Sequence, residues 1–220
     1  MAVVGAVGGE LIGERFSDLF RHRSVESSGL QRDPGRPSRI VLVRRSHKGE
    51  RQFQGFAGDR GQGFADQALA PVSLPQEARW LLVGTIPLAT AASASTLKAA
   101  LEQARQQQFL IALDVNWRPT FWDPEADPAS GPSTDAIALI RPLLEQASLI
   151  KVSREEALWF FNTDDPAAIR AALPQRPDVL VTDGAAPVRW CLEDQTGIQP
   201  AFKPPEVVDT TGAGDAFTAG

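Results

Sequence analysis

The run Val207-Val208-Asp209-Thr210-Thr211-Gly212-Ala213-Gly214-Asp215-Ala216-Phe217-Thr218-Ala219-Gly220 sets two glycines between two carboxylates. A short apolar stretch precedes them and a helix-forming one follows. Gly212 and Gly214 let the backbone come close to a ligand. Their N–H groups, with those of Ala213 and Asp215, are expected at a helix N-terminus, where free donors and the helix dipole favour an anion. A carboxylate inside such an anion hole suits phosphoryl transfer. The amides would hold the transferring group, and Asp215 would take a proton from the attacking hydroxyl. The turn has no lysine and is not the Gly-x-x-x-x-Gly-Lys loop. The plainer reading of a bare Gly-Ala-Gly-Asp is a turn whose Asp215 is an ordinary first-turn acid.

A second group is Asp114, Asn116 and Arg118, spaced by two after the apolar run Phe109–Asp114. Extended backbone would aim the three side chains the same way, into a cleft. A guanidinium there suits an anionic substrate or a phosphate. The plainer alternative is an Asp114–Arg118 structural pair with Asn116 in a turn. Further on, Ser153 with Glu156 three residues later has the capping-box pattern of a helix start. Trp117 and Trp122 read as packing residues, and Cys191 as a small buried hydrophobe. His22 and His47 stand alone and receive no catalytic role. The Arg21-His22-Arg23 and Arg44-Arg45 clusters read as solvated surface.

The elements that must carry these residues alternate. Apolar runs at Arg79–Gly84, Phe109–Asp114, Ser148–Val152 and Asp178–Thr182 read as strands. Ser93–Gln107, Thr134–Gln146, the segment after Ser153 and Asp165–Leu173 read as helices. That rhythm predicts an α/β fold with a parallel sheet covered on both faces. In such sheets ligands bind beyond the carboxyl ends of the strands, where Asp114, Glu156, Thr182 and the glycine turn would all lie. Before this core, Ala2–Val4 reads as a strand and residues 10–23 as a helix. Arg39–Arg45 and Arg51–Phe56, linked by Ser46–Glu50, form a hairpin outside the α/β rhythm. After it, Val188–Leu192 and Ile198–Phe202 flank a turn at Asp194–Gly197. Residues 27–37, 57–63 and 123–133 are rich in Gly, Pro or Asp and read as loops. No repeat of 20–50 residues is present.

Composition narrows the function classes. The chain has 220 residues, a formal charge of −5, 43% hydrophobic residues and one cysteine. The length suits one domain. Mild acidity argues against a nucleic-acid partner. No apolar run approaches the ~18 residues of a membrane span. The opening Met1-Ala-Val-Val-Gly lacks the basic flank of a signal peptide. One cysteine allows neither an internal disulfide nor a thiolate zinc cage. The expected compartment is the cytoplasm.

The Asp209–Phe217 string resembles the C-terminal signature of the ribokinase-like (PfkB) carbohydrate kinases. Val4-Gly5-Ala6-Val7-Gly8-Gly9-Glu10 is similar to that family's early glycine-rich segment, with Glu10 where Asp is usual. The hairpin at about 36–57 resembles its β lid. Leu113–Trp122 is similar to the D-x-N-x-R…W segment of the fructokinase-like branch, Lys151–Glu156 to the N-x-x-E region with Ser153 for Asn, and Val181–Gly184 to the nucleotide-side strand end. The resemblance implies a three-layer α/β/α core with a small β lid, and ATP-dependent phosphorylation of a sugar hydroxyl. Position by position, it implies Asp215 as general base and Gly212, Ala213 and Gly214 as the anion hole. It implies Asp114, Asn116 and Arg118 on the sugar side, and Thr182 and Gly184 on the nucleotide. Glu156 would lie near Mg2+ through water, and Asp209 and Thr211 at a site for a monovalent cation such as K+.

The resemblance further implies that residues 1–220 are part of a kinase domain lacking an N-terminal strand and the rest of the catalytic helix, so that the chain alone would be weak or inactive. The exposed hairpin edge suggests a homodimer through the lid. Two rivals remain open. One is a non-catalytic remnant that binds sugar or nucleotide. The other, a dinucleotide dehydrogenase, lacks a G-x-G-x-x-G after an early strand.

Overall fold

A computed structural model describes residues 1–45, 51–202, 205, 207 and 210–219 of the chain. It opens with strand β1 (Ala2–Gly8), helix α1 (Leu11–His22) and strand β2 (Glu26–Asp33), and β1 and β2 pair in parallel. The loop expected over 27–37 is therefore mostly a strand. Its composition hid it, but Gly29 explains it. A Cβ at Gly29 would lie 2.7 Å from the Val3 carbonyl oxygen, so only glycine lets the two backbones approach there.

The predicted hairpin is present as β3 (Ile40–Arg45) antiparallel to β4 (Arg51–Ala57). Its link, including Gly49 and Glu50, lies outside the described residues. A 3₁₀ turn at Ala65–Ala68 follows, at the end of the predicted 57–63 loop.

The main sheet then forms. β5 (Trp80–Val83), β6 (Leu110–Asp114), β7 (Leu149–Ser153) and β8 (Asp178–Thr182) are parallel, and β9 (Val188–Leu192) and β10 (Gln195–Gln199) complete it antiparallel. The six strands lie in the order β10-β9-β8-β7-β6-β5. The helices are α2 (Ala91–Gln106), the short α3 (Pro119–Trp122), α4 (Thr134–Leu144), α5 (Arg154–Phe161), α6 (Pro166–Ala171) and α7 (Ala213–Ala219). This is the predicted α/β architecture, with each strand-to-helix rhythm in place.

The last hairpin differs from expectation by three residues. The turn falls at Glu193-Asp194, with Glu193 at φ +54°, and β10 begins at Gln195. Gly197 is inside the strand rather than in the turn, opposite Trp190, where a Cβ would collide with the indole.

The core lies between the central strands and the helices. Ile111, Leu113, Ile150, Val152, Val179 and Val181 of the strands are buried with Leu97, Ile140, Leu143, Ala157 and Ile169 of the helices. Strand β7 is buried at three successive positions, Ile150, Lys151 and Val152, as expected of a strand covered on both faces. Cys191 is buried as predicted. No helix among the described residues is long and apolar enough to cross a membrane.

Candidate active site

The carboxyl ends of β6 and β7 carry the first polar groups of the site. Asp114 ends β6 and Lys151 sits beside it on β7, in register. Both are buried in an otherwise apolar layer. A charge in that setting is retained only when paired. The Lys151 Nζ donates to Asp114 Oδ1 at 3.0 Å and to Oδ2 at 3.1 Å. The structural pair of Asp114 is thus Lys151, not Arg118.

Beyond Asp114 the chain leaves the extended region. Asn116 has φ +44°, so the alternation that would have aimed Asp114, Asn116 and Arg118 together is not kept. Asp114 is buried, while Arg118 is exposed and donates to the Trp117 carbonyl at 2.7 Å. Trp117 and Trp122 pack against each other, with centroids 5.3 Å apart, as their packing assignment expected.

Glu156 anchors this loop. The capping box is formed: the Glu156 amide donates to Ser153 Oγ at 3.1 Å, and the Ser153 amide donates to Glu156 Oε2 at 2.8 Å. Glu156 Oε1 also accepts the Trp117 amide at 2.6 Å. One carboxylate, 5% exposed, therefore joins the start of α5 to the loop after β6.

The glycine turn and α7 lie over the same strand ends. Thr218 donates from its hydroxyl to Asp114 Oδ2 at 2.8 Å. A Cβ at Gly214 would stand 3.2 Å from the Lys151 Nζ, so the glycine backbone rests close to the ammonium. Gly212 has φ +74°, a left-handed conformation that favours glycine. Asp215 is exposed in the first turn of α7. Thr211 lies in the turn, and Asp209 falls outside the described residues.

The nucleotide-side pair ends β8. Thr182 donates to the Val152 carbonyl at 3.3 Å, and Gly184 takes φ +53° in a turn closed by the Ala186 amide on the Asp183 carbonyl. Nothing lies within 4 Å of a Cβ placed at Gly184. Among the described residues, no group of three or more His, Cys, Asp or Glu side chains could hold a metal ion.

The foot of the hairpin is built around residues that sequence reasoning passed over. Arg39 is bidentate on Asp66, with Nε 3.1 Å and Nη2 3.0 Å from Oδ2 and Oδ1 reached at 3.4 Å. Its guanidinium lies 4.5–4.6 Å from the ring centroids of Phe56, Phe64 and Phe121. Beside it, the Gly8 amide donates to Ser38 Oγ and the Ser38 amide to Glu10 Oε1. Burial raises the Glu10 carboxyl, but hydrogen bonds from Ser38 and nearby amides outweigh it and hold the group below its ordinary value. Lys151 and Thr218 were also missed. A lysine inside Ser148–Val152 was the available signal, since a buried charge needs a partner.

The family model of the pfkB family carbohydrate kinases matches residues 1–220. The chain is 32% identical over 222 residues to a fructokinase of Salmonella typhimurium, covering 99% of this chain and 68% of that protein. It is 29% identical over 223 residues to a probable chloroplastic fructokinase-6 of Arabidopsis thaliana, covering 100% of this chain but 56% of that one. Among solved structures, fructokinase from Vibrio cholerae O395 in a fructose-, ADP- and calcium-bound form superposes with a TM-score of 0.78 at 27% identity, covering 100% of this chain and 68% of that one. The chain thus spans between 56% and 68% of the length of these proteins.

Proposed function

Since the chain belongs to the pfkB family of carbohydrate kinases, we propose that the protein transfers the terminal phosphoryl group of ATP to a hydroxyl of a sugar, with fructose as the first candidate. The observation that carries this reading is the seating of the Gly212–Asp215 turn over the carboxyl ends of β6 and β7, through Thr218 on Asp114 and Gly214 on Lys151. That is the end of an α/β sheet where ligands bind.

In this reading the Asp215 carboxylate accepts the proton of the attacking hydroxyl. The hydroxyl oxygen forms its bond to the γ-phosphorus as the bond to the β-phosphate oxygen breaks, and ADP leaves. The Gly212, Ala213 and Gly214 amides hold the oxygens of the group in transit. Asn116 and Arg118 lie on the sugar side, and Thr182 and Gly184 border the nucleotide. Asp209 and Thr211 belong to a monovalent-cation site such as one for K+.

ATP brings magnesium on its phosphates. The described residues lack a cluster that could bind the ion directly. Glu156, with an amide on each oxygen, would reach it only through water. The exposed Val41, Leu42 and Val43 of the hairpin fit a lid that pairs with a second copy. The cytoplasm, where ATP is supplied, fits the reaction.

The test is a coupled ADP-release assay on the full-length protein with Mg-ATP and a sugar panel. Turnover on a sugar, lowered about 10²–10⁴-fold in Asp215→Asn, is the expected result for loss of a general base. Binding of sugar or ATP with no turnover would replace the kinase reading with that of a binding protein.

A further inference from the structure

Helix α7 has seven residues and buries none of them. Thr218 and Gly214 place it against one buried ion pair at the strand ends. Thr218 Oγ1 donates to Asp114 Oδ2 at 2.8 Å, and Gly214 lies against the Lys151 ammonium. Residues 214 and 218 are four apart, so they share a face of the helix, and the Thr218 hydroxyl also reaches the Gly214 carbonyl at 3.0 Å. Residue 215 stands about 100° from 214 and about 60° from 218 around the axis, at the edge of the seated face. Its carboxylate is exposed.

We propose that Asp114, Lys151 and Thr218 form a positioning device: the Asp114–Lys151 pair fixes the rotation of α7 about its own axis and thereby the direction of the Asp215 carboxylate. Asp114 is then a seat for the helix and not a sugar ligand. Its Oδ1 accepts from Lys151, and its Oδ2 accepts from both Lys151 and Thr218. Lys151 sets how close the backbone comes, since a side chain at 214 would meet Nζ. Thr218 sets the angle. The device joins the helix to the buried pair at the β6 and β7 strand ends, so a shift in either strand moves the base.

The inference rests on the kinase reading for its activity measurements, but not for its structural one. In the full-length protein with Mg-ATP and fructose, Thr218→Val keeps the side-chain shape and removes the hydroxyl. Its kcat should fall about tenfold with KM for fructose within about twofold, because a misdirected base costs rate and not binding. Thr218→Ser should restore kcat. The paired replacement Asp114→Leu with Lys151→Met removes the charges together, which a fold often tolerates. It should keep the melting temperature near that of the wild type and still lose kcat. Full kcat in Thr218→Val, or a raised KM for fructose with unchanged kcat in Asp114→Asn, would overturn the proposal. If the wild type phosphorylates no sugar, the kinase reading fails and hydrogen exchange decides. Faster exchange of the 213–219 amides in Thr218→Val supports the seat, and unchanged exchange overturns it.

Discussion

Glu156 satisfies two backbone amides from segments 36 residues apart, those of Ser153 and Trp117. Glu156→Ala would leave the buried Trp117 amide without an acceptor, at about 1–3 kcal/mol, and the half-buried Ser153 amide at less. Urea denaturation should therefore show a loss of about 1–4 kcal/mol, and Glu156→Gln, which keeps one oxygen, should lose less. The capping half of this arrangement was legible, because a Ser and a Glu three apart state it within four residues. The Trp117 half was not, since no local pattern shows which distant amide a buried carboxylate will meet. Asp114 shows the same limit. Its importance could be read from its place after an apolar strand, but alternation was the wrong guide to its partner once Asn116 turned to φ +44°. Lys151 was legible in principle, as a cation inside a strand whose neighbours are all apolar.

At the level of elements, periodicity found the four parallel strands, the longer helices and the hairpin, because each has a face to bury. It missed β2, whose Glu-Ser-Ser-Gly-Leu-Gln-Arg-Asp sequence is turn-like in composition and strand-like only through its pairing with β1. The hairpin's attachment was equally invisible. Arg39 joins β3 to Phe56 of β4, to Phe64 and Asp66 around the 3₁₀ turn, and to Phe121 of α3. A lysine cannot reproduce a planar bidentate contact inside three rings. Arg39→Lys should loosen the hairpin while leaving the main sheet intact. Hydrogen exchange should quicken in β3 and β4 and stay slow in β6–β8. Uniform change across both regions would mean that Arg39 supports the whole fold and not the hairpin.

For the molecule as a whole, one acid-sensitive contact lies at the β9 side of the sheet. Asp164 accepts from Arg189 at 2.7 Å and Arg154 at 2.9 Å, and its carboxyl is lowered from 3.8 to about 2, chiefly by the Arg189 hydrogen bond. An acid depressed in the folded state stabilises above its unfolded pKa and loses that contribution as the pH falls through the folded one. Asp164 should thus support the fold at pH 5 and above, and cease to do so between about pH 4 and pH 2. Asp164→Asn should lower the melting temperature slightly at pH 7 and by clearly less at pH 2, where the folded carboxyl is about half protonated. An equal difference at both pH values would show that the contact does not titrate.

The paired indoles beside the candidate site have an optical consequence. The chain has five tryptophans and no tyrosine, so its near-ultraviolet absorption and emission come chiefly from indole. Trp117 and Trp122 stand 5.3 Å apart with their planes inclined by 41°, close enough for their transitions to couple. Trp117 follows Asn116 and precedes Arg118, and its amide is held by Glu156. Any event that moves Trp117 relative to Trp122 alters the coupling, which gives the protein a built-in chromophore pair for following changes in this loop by circular dichroism without a label.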